Sequence, residues 1–125
     1  MAVLAAPGGE GDWNVAQALG HTIAAREGLV LAAMLAATGR WPADAPTVVP
    51  GVPGPVDATG AALRASLARS QRFIERASTR IAGREADPCE LRHPLVGHFR
   101  CGGWLLFAGV HDLMHVEQLE RLLAR

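Results

Sequence analysis

Two histidines near the carboxyl end of the sequence have the type and spacing of metal ligands. His111 and His115 lie four positions apart in a proline-free stretch, residues 104–123, that is apolar at helical spacing. In a helix, residues four apart are neighbours on one face, so both imidazoles could reach one point. Such a pair supplies half of a divalent-metal shell and needs at least one further ligand from elsewhere in the chain. An isolated H-x-x-x-H also arises by chance, so the alternative is two ordinary helix residues.

The same helix face extends beyond the two histidines. At steps of three and four residues it reads Trp104, Phe107, His111, His115, Gln118 and Leu122. The aromatic residues in this row favour a place in the core over contact with a substrate. The row therefore predicts a long helix that carries both histidines on one face.

Length and composition describe one small helical domain over residues 1–125. Half of the residues are apolar, only 5% are aromatic, and alanine carries much of the apolar share. This favours closely packed helices over a sheet. The net charge is zero, which argues against a nucleic-acid or acidic-membrane partner. All twelve basic residues are arginine, which excludes chemistry through a Schiff-base or phosphate-loop lysine.

Cysteine usage and the first residues indicate a cytoplasmic protein. Cys89 and Cys101 have neither C-x-x-C nor zinc-ribbon spacing, so we expect two free thiols in a reducing compartment. The amino-terminal ten residues lack a basic region and have too short an apolar run for a signal peptide. The longest uncharged apolar run, residues 28–39, is shorter than a membrane span of roughly 20 residues. No membrane contact is expected.

Three long helices are predicted after a flexible, Gly-rich arm over residues 1–12. The first runs from Asn14 to Thr38, with a capping box from Asn14 to Gln17 and Gly39 as its stop. The second runs over residues 59–81 with apolar and small residues at alternating steps of four and three. The third begins at residue 100 or 101 and continues to the end of the chain.

The start of the third helix is expected to fray. Arg100 is no capping residue, its charge opposes the helix dipole, and Gly102 and Gly103 disfavour a helix.

The two connections between the predicted helices are predicted as loops without strands. Residues 40–56 hold five prolines and form either a lid over a site or a plain crossover. In residues 84–100, His93 with the proline after it is interpreted as fixing a turn, and His98 has no assigned role.

Several of these residues together resemble a family signature. The sequence reads H-P-x-x-G at 93–97, W-L-x-F at 104–107 and H-D-x-x-H-x-x-Q at 111–118. This order resembles the C-terminal motif of the DinB-like superfamily, which includes the YfiT-type metal-dependent hydrolases. Residues 13–21 are similar to its second signature, W-S-x-x-x-x-L-x-H, with Asn14 in place of the serine. The resemblance spans residues 13–123.

The resemblance implies an all-α fold, an antiparallel helix bundle of the up-down-down-up four-helix type, with a divalent metal, zinc or nickel, held by three histidines. Carried over position by position, the ligands are His21, His111 and His115. Read alone, His21 would be an ordinary helix histidine. The chemistry agrees with the resemblance, because the pair needs a third ligand and His21 is the one histidine inside another predicted helix. Three neutral imidazoles with an open position form a catalytic type of shell.

Metal-ligating histidines need partners that orient them. Gln118 lies one turn after His115, and Gln17 lies one turn before His21, so both amides are suitably placed. Asp112 directly follows a predicted ligand and points about 100° away from it. It fits either a supporting role or an ordinary surface acid or inter-helix ion pair.

The sequence departs from the family pattern at its start. Only twelve residues precede Trp13 where the family has a helix, so the first helix is expected to be short or missing. The seam that this helix would cover needs the arm 1–12 or a second copy of the chain. Because many family members are dimers, the resemblance favours a homodimer.

The resemblance also implies the type of reaction. It indicates transfer or isomerisation with a low-molecular-weight thiol (bacillithiol, mycothiol or glutathione), or hydrolysis, on a small-molecule substrate. No residue in the sequence decides between the two. The alternative is a non-catalytic metal-binding or stress-related bundle, which the shortened start favours. Nucleic-acid binding is suggested only by the family's name, and the zero net charge opposes it.

Overall fold

A computed structural model describes residues 13–45, 47 and 54–124 of the chain. Three helices and one hairpin follow one another as α1 (Val15–Ala37), α2 (Gly60–Ile81), β1 (Pro88–His93), β2 (Gly97–Arg100) and α3 (Cys101–Leu123). The expected all-α bundle with three long helices is confirmed. The predicted arm over 1–12, and with it any remnant of a first helix, lies outside the described residues.

The capping signals in the sequence set the ends of α1 and α2. The Gln17 backbone N–H donates to Asn14 Oδ1 at 2.8 Å, and the Asn14 N–H donates to Gln17 Oε1 at 3.0 Å. Thr59 Oγ1 accepts the Ala62 N–H at 3.1 Å at the start of α2. Gly39 follows α1 with a φ of 69°, a left-handed conformation that glycine adopts without strain.

Helix α1 is the central element of the bundle. It packs along both α2 and α3, whereas α2 and α3 scarcely touch each other. Arg26 on α1 joins all three helices, because its guanidinium donates to Gln71 Oε1 on α2 at 2.7 Å and lies 3.6 Å from Asp112 Oδ2 on α3. By length and composition α1 could also cross a membrane. Core helices of soluble proteins meet the same criterion, and α1 is packed on two sides, so this adds no evidence for a membrane.

The core lies between α1, α3, the hairpin and the carboxyl-terminal end of α2. Trp104, Cys101 and Ile81 are fully buried there, beside Val30 of α1. Both cysteines are buried free thiols, as predicted. Burial raises the pKa of Cys101 to about 11, so its thiol stays protonated at neutral pH.

The prediction of a loop without strands over 84–100 was wrong. Strands β1 and β2 form an antiparallel hairpin with a bulge, and Gly97 has a φ of 81° at its turn. Cys89 and Leu91 point into the core while the residues between and beside them are exposed, which is the two-residue period of a strand. Pro88 and Pro94 misled the prediction. Pro88 occupies the first position of β1 and Pro94 lies in the turn, and neither place requires a ladder N–H.

The predicted fraying at the start of α3 is also not what the structure shows. The N–H of Cys101 donates to the Asp87 carbonyl at 2.9 Å, and the N–H of Gly102 donates to the Glu85 carbonyl at 2.8 Å. These two carbonyls satisfy helix amides that lack a side-chain cap. The loop before β1 therefore caps the start of α3. No signal in the sequence connected that loop to this helix.

The end of the long proline-bearing connection packs on the first turns of α1. The Gly54 N–H donates to the Gln17 carbonyl at 3.1 Å, and Asn14 Nδ2 donates to the Val56 carbonyl at 3.2 Å. Residues 46 and 48–53 lie outside the described part of the chain, so the choice between a lid and a crossover stays a prediction.

Candidate metal centre

The structure brings together the three histidines that the sequence singled out. The ring centre of His21 lies 5.3 Å from that of His111 and 4.8 Å from that of His115, and the latter two are 4.5 Å apart. One ring nitrogen from each residue lies within 4.8 Å of the others. His21 and His115 are only 4% and 3% exposed, whereas His111 is partly open to solvent. His111 is therefore the least buried of the three histidines.

The antiparallel packing of α1 and α3 produces this convergence. His21 meets His115, and five residues later Arg26 meets Asp112, which precedes His115 by three residues. Contacts advance along α1 as they recede along α3, so the two helices run in opposite directions. One residue of α1 and two residues one turn apart on α3 thus supply all three histidines.

His115 is oriented by the glutamine one turn later. Its Nδ1 lies 2.7 Å from Gln118 Oε1, and because an amide oxygen only accepts, Nδ1 carries the proton. Nε2 then presents its lone pair 3.2 Å from His111 Nε2. Two nitrogens each about 2.0–2.1 Å from one ion, at a near-tetrahedral angle, have a similar separation. The pair therefore fits a shared cation without rearrangement of the helix.

Burial keeps His111 neutral. Desolvation first, and then the neighbouring imidazoles of His115 and His21, lower the pKa of His111 to about 4. A neutral ring is the form that binds a metal. Its Nδ1 is buried and has no hydrogen-bond partner among the described residues. Within residues 13–45, 47 and 54–124, nothing orients His111 in the way that Gln118 orients His115.

A sequence model of the DinB superfamily matches residues 2–119, nearly the whole chain. This chain belongs to the DinB superfamily. Searches of the curated proteins and of the solved structures find no significant match to it. The membership confirms the family that the motifs indicated, and what this DinB-superfamily chain does must be argued from its own residues.

Aromatic rings line the histidine cluster of this DinB-superfamily chain. Trp13 is 2% exposed and its ring centre lies 4.8 Å from that of His21. Phe107 lies 6.0 Å from His111, and its other side contacts the ring of His93 at 5.2 Å. His93 Nδ1 accepts the Leu95 N–H at 3.0 Å, which agrees with its interpretation as a turn residue. The rings reduce water contact on two sides of the cluster.

The two other predicted supporting residues contact different groups. The side-chain oxygen of Gln17 accepts the Asn14 amide in the capping box, so this oxygen caps α1, and support of His21 by Gln17 stays a prediction. Asp112 forms the inter-helix ion pair with Arg26, the alternative left open by the sequence. Burial raises the pKa of Asp112, and the Arg26 charge opposes that shift. Gln118 hydrogen-bonds a ligand candidate, because its side-chain oxygen lies 2.7 Å from His115 Nδ1.

Sequence reasoning missed the contribution of Trp13 to this site. In the sequence it was only the first residue of the second family signature, whereas in the structure it packs directly on His21. The signal was its position eight residues before His21, about two helical turns away. It precedes the helix, however, so periodicity alone could not place its ring.

Proposed function

We propose that His21, His111 and His115 bind one divalent metal, zinc or nickel, and that the chain is a metal-dependent enzyme acting on a small molecule. The observation that carries the proposal is the convergence of three ring nitrogens within 4.8 Å, from two antiparallel helices. Three neutral imidazoles leave at least one coordination position for a reactant. Membership of the DinB superfamily supports a thiol-dependent transferase or isomerase first and a hydrolase second.

A bound divalent metal would supply Lewis acidity and lower the pKa of a thiol or water. The chain's own residues prepare the site for this. Gln118 holds the proton of His115 at Nδ1, which leaves Nε2 as a ligand atom. Burial keeps His111 neutral at pH 7. The rings of Trp13 and Phe107 lie beside His21 and His111, and His111 is the least buried of the three histidines.

The test is turnover by protein purified without a histidine tag and loaded with zinc or nickel. Electrophiles are offered with bacillithiol, mycothiol or glutathione, and esters and amides without a thiol. We expect turnover by the wild type, none by His115→Ala, and wild-type turnover by His98→Ala, a matched control because His98 is an exposed histidine on β2. Metal binding without any turnover would favour the non-catalytic alternative, and failure to bind metal would refute the whole proposal.

Replacing Gln118 by alanine is expected to weaken metal binding about 10- to 100-fold with the fold intact. The variant removes the acceptor that holds the proton of His115 at Nδ1. Affinity is measured by competition with a chromophoric chelator, with helicity as the check on folding. Glu117→Ala serves as the control, since Glu117 is the exposed neighbour. Equal affinities for the two variants would contradict the orienting role.

Acidification is expected to destabilise the metal-free protein through His111. Its pKa is lowered from 6.5 to about 4 in the folded state, so the unfolded chain binds more protons between these values. Stability is therefore present above pH 6.5 and is lost as the pH falls toward 4. Because His111 is partly exposed, solvent screens its charge, and the expected loss in the free energy of unfolding is on the order of 2 kcal/mol. Urea unfolding at both pH values measures it, and His111→Asn should reduce the pH dependence by that amount.

A further inference from the structure

Arg26 is a charged side chain that lies between three helices. Its side chain is 15% exposed, and that of its ion-pair partner Asp112 is 27% exposed. Arg26 Nη2 donates to Gln71 Oε1 at 2.7 Å, whereas Arg26 Nε lies 3.6 Å from Asp112 Oδ2. Among the residues that the structure describes, Arg26 Nε and Asp112 Oδ1 are buried without a hydrogen-bond partner. The contacts therefore compensate only part of the cost of burying these two charges.

Stability does not account for this ion pair. Removing a guanidinium and a carboxylate from water is repaid only when their geometry is excellent and further hydrogen bonds satisfy the remaining polar atoms. The pair of Arg26 and Asp112 is long and leaves one polar atom of each residue unbonded within the described ranges. The best-attested use of such a buried polar contact is to select one register of packed helices over the others.

The ion pair lies beside the histidine cluster. Along α1, Arg26 follows His21 by five residues, an axial rise of about 7.5 Å. Along α3, Asp112 lies between the two histidines, one residue after His111 and three before His115. One helical turn moves as a unit, so a slide or rotation that parts Asp112 from Arg26 also shifts both histidines of α3 relative to α1.

Alanine supplies much of the packing surface of α1. Four alanines of this helix are buried, at Ala18, Ala32, Ala33 and Ala37. Apolar burial is non-directional, and small side chains of equal size present similar surfaces in neighbouring registers. A charged pair that forms in one register only adds a selectivity that alanine packing lacks.

We propose that Arg26 is a positioning residue of the histidine cluster, which fixes the register of α3 on α1 through its ion pair with Asp112. Gln71 holds the guanidinium from the side of α2, a helix that scarcely touches α3. Arg26 thereby keeps the ring of His21 next to that of His115, at 4.8 Å between their centres. In its effect on metal binding, this role rests on the proposed function.

The metal affinity of Arg26→Met tests the proposal, because electrostatics and positioning predict opposite signs. Methionine keeps an unbranched apolar side chain and removes the charge. Loss of a nearby cation would by itself strengthen the binding of a divalent metal. Loss of the register should instead weaken it, about 10- to 100-fold, as removal of other supporting residues does. Competition with a chromophoric chelator for zinc measures the affinity.

The matched control is Arg72→Met, which removes an exposed arginine next to Gln71 on α2. It should bind zinc like the wild type. A loss of affinity confined to Arg26→Met then reports the position of the charge and excludes a general effect of removing an arginine.

Ring contacts in the metal-free protein give a reading that needs no metal. Nuclear Overhauser effects between the ring protons of His21 and His115 should be present in the wild type and in Arg72→Met, and absent in Arg26→Met. A wild type that binds no zinc would refute the proposed function. The ring contacts alone would then decide the role of Arg26.

A double variant separates register from stability. Arg26→Met leaves Asp112 without its cation, which lowers the free energy of unfolding. Arg26→Met/Asp112→Asn removes both charges, so it should recover stability in urea unfolding without recovering the ring contacts. Ring contacts retained in either variant, or zinc binding by Arg26→Met at least as tight as that of the wild type, would overturn the proposal.

Discussion

Replacing any one of His21, His111 and His115 by alanine is expected to abolish stoichiometric metal binding. The wild type, purified without a tag and dialysed against zinc or nickel, should retain one ion per chain. Each substitution removes one of three nitrogens that lie within 4.8 Å of one another. The loss of affinity should exceed the roughly 10- to 100-fold that removal of an orienting partner costs. Elemental analysis of the dialysed protein measures the stoichiometry.

Thermal unfolding gives a second reading of the same prediction. A metal that binds only the folded chain stabilises it by about 4 kcal/mol at a thousand-fold excess over its Kd. Added metal should raise the midpoint temperature of unfolding in the wild type and in His98→Ala. It should not raise it in the three variants that each lack one histidine of the cluster. Wild-type metal loading by His21→Ala would show that α1 does not contribute a ligand, and the three-histidine assignment would then be wrong.

Replacing Gly103 by alanine is expected to destabilise the protein, although alanine is the better helix former. A Cβ at this position would lie 2.9 Å from the Cβ of Phe99, closer than such atoms approach in folded proteins. Phe99 meets Trp104 edge to face and stacks on Phe107, so it cannot move without disturbing the core. The cost of such overpacking is typically about 1–3 kcal/mol. Urea unfolding measures the change.

Gly28→Ala is the matched control for that experiment. Gly28 lies within α1, is exposed, and has no atom within 4 Å of a would-be Cβ. Alanine there should stabilise the protein by roughly 0.5–1 kcal/mol. Opposite signs for the two substitutions separate packing from helix propensity. A gain in stability from both would mean that the hairpin does not pack closely on the start of α3.

Local signals in the sequence predicted the helices well because each acts over a few residues. The capping box from Asn14 to Gln17 is complete within one turn, and Thr59 caps α2 in the same way. Gly39 and Gly83 end their helices with left-handed backbones that glycine adopts freely. Such signals need no knowledge of the rest of the fold, so the predicted and observed bounds agree within a residue or two.

The hairpin and the glycine pair could not be predicted in the same way. Pro88 and Pro94 appeared to exclude strands, but their effect depends on which N–H groups the sheet needs. Gly102 and Gly103 appeared to weaken α3, but Glu85 and Phe99 occupy the space that side chains would take. In both cases the deciding contact is made with another segment of the chain, which no local signal identifies.

For the candidate site, the sequence by itself determined that His111 and His115 share a helix face and that Gln118 lies one turn further, because a helix repeats every 3.6 residues. It did not determine which helix lies opposite, and His21 was assigned by family resemblance. Tertiary structure decided that α1 runs antiparallel to α3 with His21 beside His115, that Trp13 covers His21, and that Gln17 caps a helix. The physical reason is that periodicity orients residues within one element, whereas contacts between elements depend on how whole surfaces pack.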